Sequence, residues 1–301
     1  MSTERKLPPL RFAPKRVERP WGSMDYLLAD LGVVDSTVVG GWLGGNTISD
    51  VMQTYLDRVV GDAAFEYYGT QFPLMVKILD VKGRSSLHVN PDEQTAAQRY
   101  DAFGKTALWH VLEAGSESKL YLGFRRDVSA EEFYRKCKDG SVEELLNIVR
   151  PKAGESYLVH PGLVHAASRV KLLEIAESSE CWFRLHDWGS TERENHLEEA
   201  FDLIDFRACE SLPSKTELFT VNDLSLEDEL TIDPGLSDSF RLFSCVKGSA
   251  TLVNEEGERY PLKAGEVILV PSEHGKISIV PEEGGAHILE SLYESNGLGK
   301  D

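Results

Sequence analysis

Ala153-Gly154-Glu155-Ser156-Tyr157-Leu158-Val159-His160-Pro161 has a counterpart further along the chain in Ala264-Gly265-Glu266-Val267-Ile268-Leu269-Val270-Pro271. Each reads as an Ala-Gly-Glu turn, a short apolar strand, and a proline that cannot donate to a β-ladder. This weak internal repeat implies two copies of one β-barrel unit. Around the second copy, residues 216–298 read almost wholly as strands, at 218–221, 240–247, 249–254, 259–262, 267–270, 275–279 and 287–293. Around the first copy, strands are expected at 72–80, 86–90, 105–113, 119–124, 157–159, 172–177 and 181–187. Short strands separated by turns are the pattern of barrels and sandwiches.

Helices are short and confined to the N-terminal half. One begins near Thr47 or Ser49 as N-cap, and another covers 93–100. A third opens at Ser129, with Glu132 completing a capping-box pattern, and a fourth is expected over 141–148. The acidic stretch 192–206 marks the boundary between an N-terminal domain, 1–207, and a C-terminal domain, 208–301.

The chain has 301 residues, 41% hydrophobic and 27% charged, with a net charge of -18. These are globular values, and the charge argues against nucleic acid or an anionic membrane surface as partner. A small anionic substrate remains open to it, because a few local Lys or Arg residues hold a phosphate. Residues 1–19 contain no apolar core of a signal peptide, and no run of about 18 apolar residues occurs. Cys137, Cys181, Cys209 and Cys245 lack CxxC spacing and read as reduced thiols of a cytoplasmic protein.

Chemistry is expected first at Ser86-Leu87-His88-Val89-Asn90-Pro91-Asp92-Glu93. Period-2 alternation sends Ser86, His88 and Asn90 to one strand face and Leu87 and Val89 to the other. A second signal is Pro161-Gly162-Leu163-Val164-His165-Ala166. His88, His110 and His165 are candidate metal ligands, since a metal site needs converging imidazoles or carboxylates. Residue pattern alone leaves the face of His110 open. Lys77, inside an apolar strand, either snorkels to an edge or finds a buried partner. Glu174 and Arg184 either pair with each other, or Arg184 clamps an anion or a transition state.

Taken in order, several motifs resemble the type I mannose-6-phosphate isomerase family, particularly its short bacterial form. They are Glu18-Arg19-Pro20-Trp21-Gly22, the segment from Phe72 to Asp80, Ser86 to Glu93, Gly104-Lys105-Thr106, Pro161 to Ala166, Leu173-Glu174-Ile175, and Phe183 to Gly189. The resemblance covers nearly the whole chain. It implies a mainly β fold of two cupin-type jelly-roll β-barrels, with short helical insertions in the N-terminal half.

The resemblance also implies conversion of mannose 6-phosphate to fructose 6-phosphate by metal-assisted proton transfer through an enediol. The family binds zinc through the Gln and His of Ser-x-Gln-x-His-Pro-Asp, a Glu following Gly-Lys-Thr, and the His of Pro-x-Gly-x-x-His-Ala. Here His88 stands at the Gln position, Asn90 at the first His, and Ala107 at the Glu, while His165 is unchanged and His160 replaces a common Pro. The implied metal set for zinc or another divalent ion is therefore His88, Asn90 and His165. Residues 88, 90 and 107 are expected to point inward and His110 away. Arg184 and Lys105 carry catalysis, and Lys77, Ser86 and Lys105 bind the hexose phosphate. The alternatives are a non-catalytic sugar or sugar-phosphate-binding cupin that has lost its zinc site, and a cupin enzyme with other chemistry on His88, His165 and His160.

Overall fold

The computed structural model describes residues 5–190, 192–212, 215–233 and 238–293. Its strands are β1 (Leu10–Arg11), β2 (Lys15–Arg19), β3 (Gly22–Leu28), β4 (Leu74–Arg84), β5 (Leu87–Val89), β6 (Ala107–Phe124), β7 (Leu146–Val149) and β8 (Ser156–Val159). They continue with β9 (His165–Glu177), β10 (Phe183–His186), β11 (Thr220–Leu226), β12 (Leu230–Ile232), β13 (Arg241–Asn254), β14 (Arg259–Lys263), β15 (Val267–Val270) and β16 (Ile277–Leu292). Contacts divide the chain into two units. One comprises Met1–Lys15, Tyr26–Val76 and Lys215–Asp301, the other Arg16–Asp25 and Lys77–Ser214. The expected cut at 207/208 falls near the Lys215 edge of the first unit, which also takes in two N-terminal segments.

The unit that contains β13 is built on a seven-stranded sheet in the order β1-β15-β13-β16-β11, with β12 beside β16 and β14 beside β13. Its apolar side chains, among them Phe243, Leu252, Leu262, Ile268, Ile277 and Ile288, form one buried cluster. In the other unit a nine-stranded sheet runs β10-β5-β9-β4-β3-β2, and β6 pairs with β7, β8 and β9. The protein is mainly β, with a few short helices, as expected from the sequence.

Several strands are longer than expected. The stretches 105–113 and 119–124 belong to one strand, β6; 240–247 and 249–254 to β13; 275–279 and 287–293 to β16. Bulges explain the difference: the β13–β16 register shifts between Cys245 and Lys247 and again between Gly248 and Ala250. A bulge bends a strand without ending it, so turn-like residues such as Gly248 sit inside a ladder. The expected helix at 141–148 is a single 3-10 turn, Val142–Leu145, followed by β7. Ile148 and Val149 pair with Tyr121 and Leu120 of β6, and their β-branched side chains suit that ladder. The helices Ile48–Tyr55, Glu93–Tyr100 and Ala130–Asp139 form where expected, capped by Thr47, Asp92 and Ser129.

The repeated Ala-Gly-Glu turn has the same hydrogen bonds in each unit. Gly154 N–H donates to the Val111 carbonyl and Val111 N–H to the Glu155 carbonyl, both at 2.8 Å. Gly265 N–H donates to the Cys245 carbonyl at 2.9 Å and Cys245 N–H to the Glu266 carbonyl at 3.1 Å. In each copy the glutamate side chain accepts from a backbone N–H three residues earlier, Lys152 at 2.8 Å and Lys263 at 2.9 Å. Both glycines have positive φ, 90° and 86°, which an L side chain resists. The repeat read in the sequence is thus one turn built twice.

Trp21-Gly22 turns β2 into β3, and a Cβ on Gly22 would lie 1.9 Å from the Asp80 carbonyl oxygen. Gly22→Ala is expected to destabilise the fold by about 2–4 kcal/mol, since the backbone must move to relieve the clash. A lowered thermal midpoint with an unchanged far-UV spectrum at low temperature is the expected result.

Candidate functional site

The site grows from the register of three neighbouring strands. Arg184 of β10 lies opposite His88 of β5, and His88 lies opposite His165 of β9. Cross-strand partners share a face, so the three side chains form a row. Their sequence neighbours Leu87, Val89, Val164, Ala166, Phe183 and Leu185 pack into an apolar cluster instead. The alternation read at 86–90 therefore holds across three strands. The His88 and His165 ring centroids are 6.2 Å apart, His88 meets Trp182 edge-on at 4.8 Å, and Trp109 meets His165 at 5.5 Å.

Lys77, Lys105, Trp109 and Glu174 extend the row. Lys77 Nζ lies 2.9 Å and Lys105 Nζ 3.8 Å from Glu174 Oε1, with all three side chains 7% exposed. Trp109 Nε1–H donates to Glu174 Oε2 at 2.7 Å. Lys77 therefore does not snorkel, and the partner of Glu174 is this lysine pair rather than Arg184. The reason is register: Glu174 lies opposite Trp109 on β6, while Arg184 lies opposite His88. Arg184 donates from Nη1 to the Glu194 carbonyl at 2.7 Å, and its guanidinium sits 5.5 Å from the Trp182 ring.

Local structure fixes the Lys105 loop. Pro91 follows β5, and Asp92 caps the next helix by accepting from Thr95 N–H. Gly104 presses on that helix start, where a Cβ would lie 2.7 Å from Glu93 N. Asn90 Nδ2 donates to the Lys105 carbonyl at 3.2 Å, and Thr106 N–H to Glu177 Oε2 at 2.8 Å. Ser86 is fully buried and donates to Asp187 Oδ1 at 2.7 Å. Asp187 in turn holds Arg193, whose Nε lies 2.9 Å from Oδ2. The structure thus brings together His88, His165, Arg184, Lys77 and Lys105, while the polar groups of Ser86 and Asn90 face Asp187 and the Lys105 backbone. His110 points away and meets Ser156 Oγ at 2.9 Å. His160 lies beside the row, its Nδ1 2.8 Å from the Pro161 carbonyl.

Sequence reading missed Trp109, Trp182 and the Asp187–Arg193 pair. Counting from Ala107 puts Trp109 on the inward face of its strand without marking it as a site residue; nothing in the acidic connector singled out Arg193.

Burial sets the protonation states. His165 is pushed down to about 4, mainly by burial, so its imidazole is neutral near pH 7. Its Nδ1 lies 2.9 Å from the Leu163 carbonyl, which only accepts, so the proton sits on Nδ1 and Nε2 keeps its lone pair. His88 is held well below its ordinary value by burial and then by His165, Arg184 and Lys105. Burial and the neighbouring Lys77 lower Lys105 to about 8, against the opposing pull of Glu174. Burial alone would raise Glu174, but Lys77 and Lys105 bring it down to about 2.

This donor set does not fit the metal centre that the motifs imply. A methyl group, Ala107, occupies the carboxylate position, and Asn90 offers only a neutral amide. Among the described residues no group of three or more His, Cys, Asp or Glu side chains converges as a metal would require. Glu174, the nearby carboxylate, is engaged by two ammonium groups and an indole. Two buried ammonium groups, Lys77 and Lys105, stand beside that carboxylate, and none of the implied ligands His88, Asn90 and His165 is anionic. Of the implied ligands, His165 presents a metal-competent nitrogen fixed by a second hydrogen bond on its other ring nitrogen.

Two antiparallel-rich sheets, a turn built twice and a polar row on one sheet face define a two-unit cupin protein. Residues 209–288 match the profile of the family described as "Mannose-6-phosphate isomerase, cupin domain". The chain is 28% identical to mannose-6-phosphate isomerase ManA of Bacillus subtilis (strain 168), over 97% of this chain and 99% of that protein. It is 30% identical to the mannose-6-phosphate isomerase of Streptococcus mutans over 44% of each. Along nearly its whole length the chain is thus similar to bacterial mannose-6-phosphate isomerases. The crystal structure of the Bacillus subtilis mannose 6-phosphate isomerase shares the fold, with a TM-score of 0.81 at 22% identity over 95% of this chain and 99% of that one.

Breaking the buried pair isolates its effect on the fold. Glu174→Gln leaves two buried ammonium groups without their carboxylate and is expected to cost about 3–5 kcal/mol. Urea denaturation should show that loss, with part of it recovered in the double variant Lys77→Met/Glu174→Gln.

Proposed function

We propose that the protein is an aldose–ketose isomerase of a phosphorylated hexose, interconverting mannose 6-phosphate and fructose 6-phosphate. The observation that carries this reading is the row of neutral imidazoles flanked by buried cations, in a chain otherwise strongly acidic. End-to-end similarity to a mannose-6-phosphate isomerase supports it over a silent sugar-binding cupin. The same similarity, with no described helix long and apolar enough to cross a membrane, supports a cytoplasmic setting.

Isomerisation removes the proton on C2, next to the C1 carbonyl, and places a proton on C1. The difficulty is the negative charge that builds on the enediolate oxygens. His165 Nε2 is the base: it takes the C2 proton and delivers a proton to C1. Its low proton affinity rises when an anionic substrate enters, because opposite charge favours the imidazolium. Lys105 donates a proton to O1 and takes one from O2, completing the exchange. Arg184 remains charged and faces the developing enediolate. Lys77 anchors Lys105 through the shared Glu174 carboxylate and contributes positive charge toward the phosphorylated substrate. Ser86 acts through Asp187, which aims Arg193 at the same region.

Three measurements test this reading. The purified protein should convert mannose 6-phosphate, and His165→Ala should abolish that turnover. Arg184→Ala should lower kcat by about 10²–10³-fold, the usual effect of losing one transition-state donor; an unchanged kcat would overturn its role. The Lys105 ammonium is present below its value of about 8 and lost above it, so kcat/KM should fall as pH rises through about 8. Lys105→Arg, which keeps its charge, should lower kcat and remove that falling limb.

A further inference from the structure

The row of residues differs from the family's metal centre in a consistent direction. The carboxylate position holds Ala107, and the first histidine position holds Asn90, whose amide N–H is engaged by the Lys105 carbonyl. Within the row the charged groups are Lys77, Lys105 and Arg184 against Glu174. Arg193 adds its charge to the field at His88, although Asp187 neutralises it. A neutral imidazole, His88, lies between Arg184 and His165, and its buried Nε2 finds no hydrogen-bond partner among the described residues. The Arg184 Nε is buried and unpartnered in the same sense. Fixed positive charge with unmet donor capacity suits an incoming anion and disfavours a cation.

We infer that isomerisation in this protein is independent of a divalent metal, with Arg184 and Lys105 supplying the positive charge that the enediolate requires. The inference rests on the isomerase reading and deepens it. The balance of the step needs no further reactant. The C2–H electron pair becomes the C1–C2 double bond as the proton moves to His165, and the carbonyl pair moves to O1, which gains a proton from Lys105. In the second half, Lys105 regains a proton from O2, the C2=O bond forms, and the double-bond pair takes the proton from His165 at C1. No electron leaves the substrate: C2 gives up a proton, C1 gains one, and the proton held on His165 exchanges with solvent in between. The guanidinium and ammonium are charged before substrate arrives, so they need no reorganisation as the charge develops.

The experiment uses the full chain, dialysed against a strong chelator and checked for metal by elemental analysis. Mannose 6-phosphate turnover should stay within twofold of the untreated protein and should not rise on adding Zn2+, Mn2+ or Mg2+. In metal-free D2O, product fructose 6-phosphate should carry deuterium at C1, and that incorporation should be lost in His165→Ala. Arg184→Ala should lose about 10²–10³-fold in kcat without metal, and Arg184→Lys should recover part of it. Calorimetric titration with Zn2+ alone should show no stoichiometric uptake that depends on His165. Turnover lost on chelation and restored by one equivalent of metal would overturn the inference while leaving the isomerase reading intact. Absence of turnover with and without metal would overturn both.

Discussion

One buried carboxylate constrains this site. Glu174 is placed by β9 on the same sheet face as His165, where an unpaired charge would be prohibitive. Lys77, Lys105 and the Trp109 indole converge on it at 2.9, 3.8 and 2.7 Å. That convergence draws together β4, β6, β9 and the loop after the Glu93–Tyr100 helix. It also sets the sign of the region, since two ammonium groups share one carboxylate and Arg184 stands nearby. The choice between an anion and a cation at this place follows from that arrangement.

The two units share a turn but not an interior. In the unit built on β13, the residues turned toward one another are apolar, from Phe243 to Ile288. In the other, alternation is the same but one face carries His88, His165, Arg184 and Glu174. The duplicated device, a glycine in the left-handed region with a glutamate accepting from the backbone three residues back, is indifferent to what the strands carry inward. A scaffold of this kind separates the residues that make the fold from those that make the chemistry.

Much of this was legible in the sequence because it is local. Alternation around His88, the caps at Thr47 and Ser129, and the Ala-Gly-Glu repeat are each set by residues within one or two turns of chain. What stayed hidden depends on register between distant strands. Glu174 could face Arg184 or Lys77 on sequence grounds, and only the pairing of Trp109 with Glu174 and of His88 with Arg184 decides it. The bulges that fuse 240–247 with 249–254 were hidden for a related reason: a glycine inside a ladder looks like the end of a strand. The hydroxyl of Ser86 shares its strand face with His88 by counting, yet Asp187, a hundred residues away in sequence, takes its hydrogen bond.

Asn90 shows how one hydrogen bond makes neighbouring positions depend on each other. Its amide N–H holds the Lys105 carbonyl, so the residue just after β5 secures the loop that carries one of the two lysine partners of Glu174. A histidine at 90 would give up that hydrogen bond, while Ala107 offers only a methyl group. A glutamate at 107 would add a second carboxylate near the lysines that Glu174 engages. The same hydrogen bond that orders the loop therefore couples what position 90 can hold to what the lysine pair around Glu174 requires.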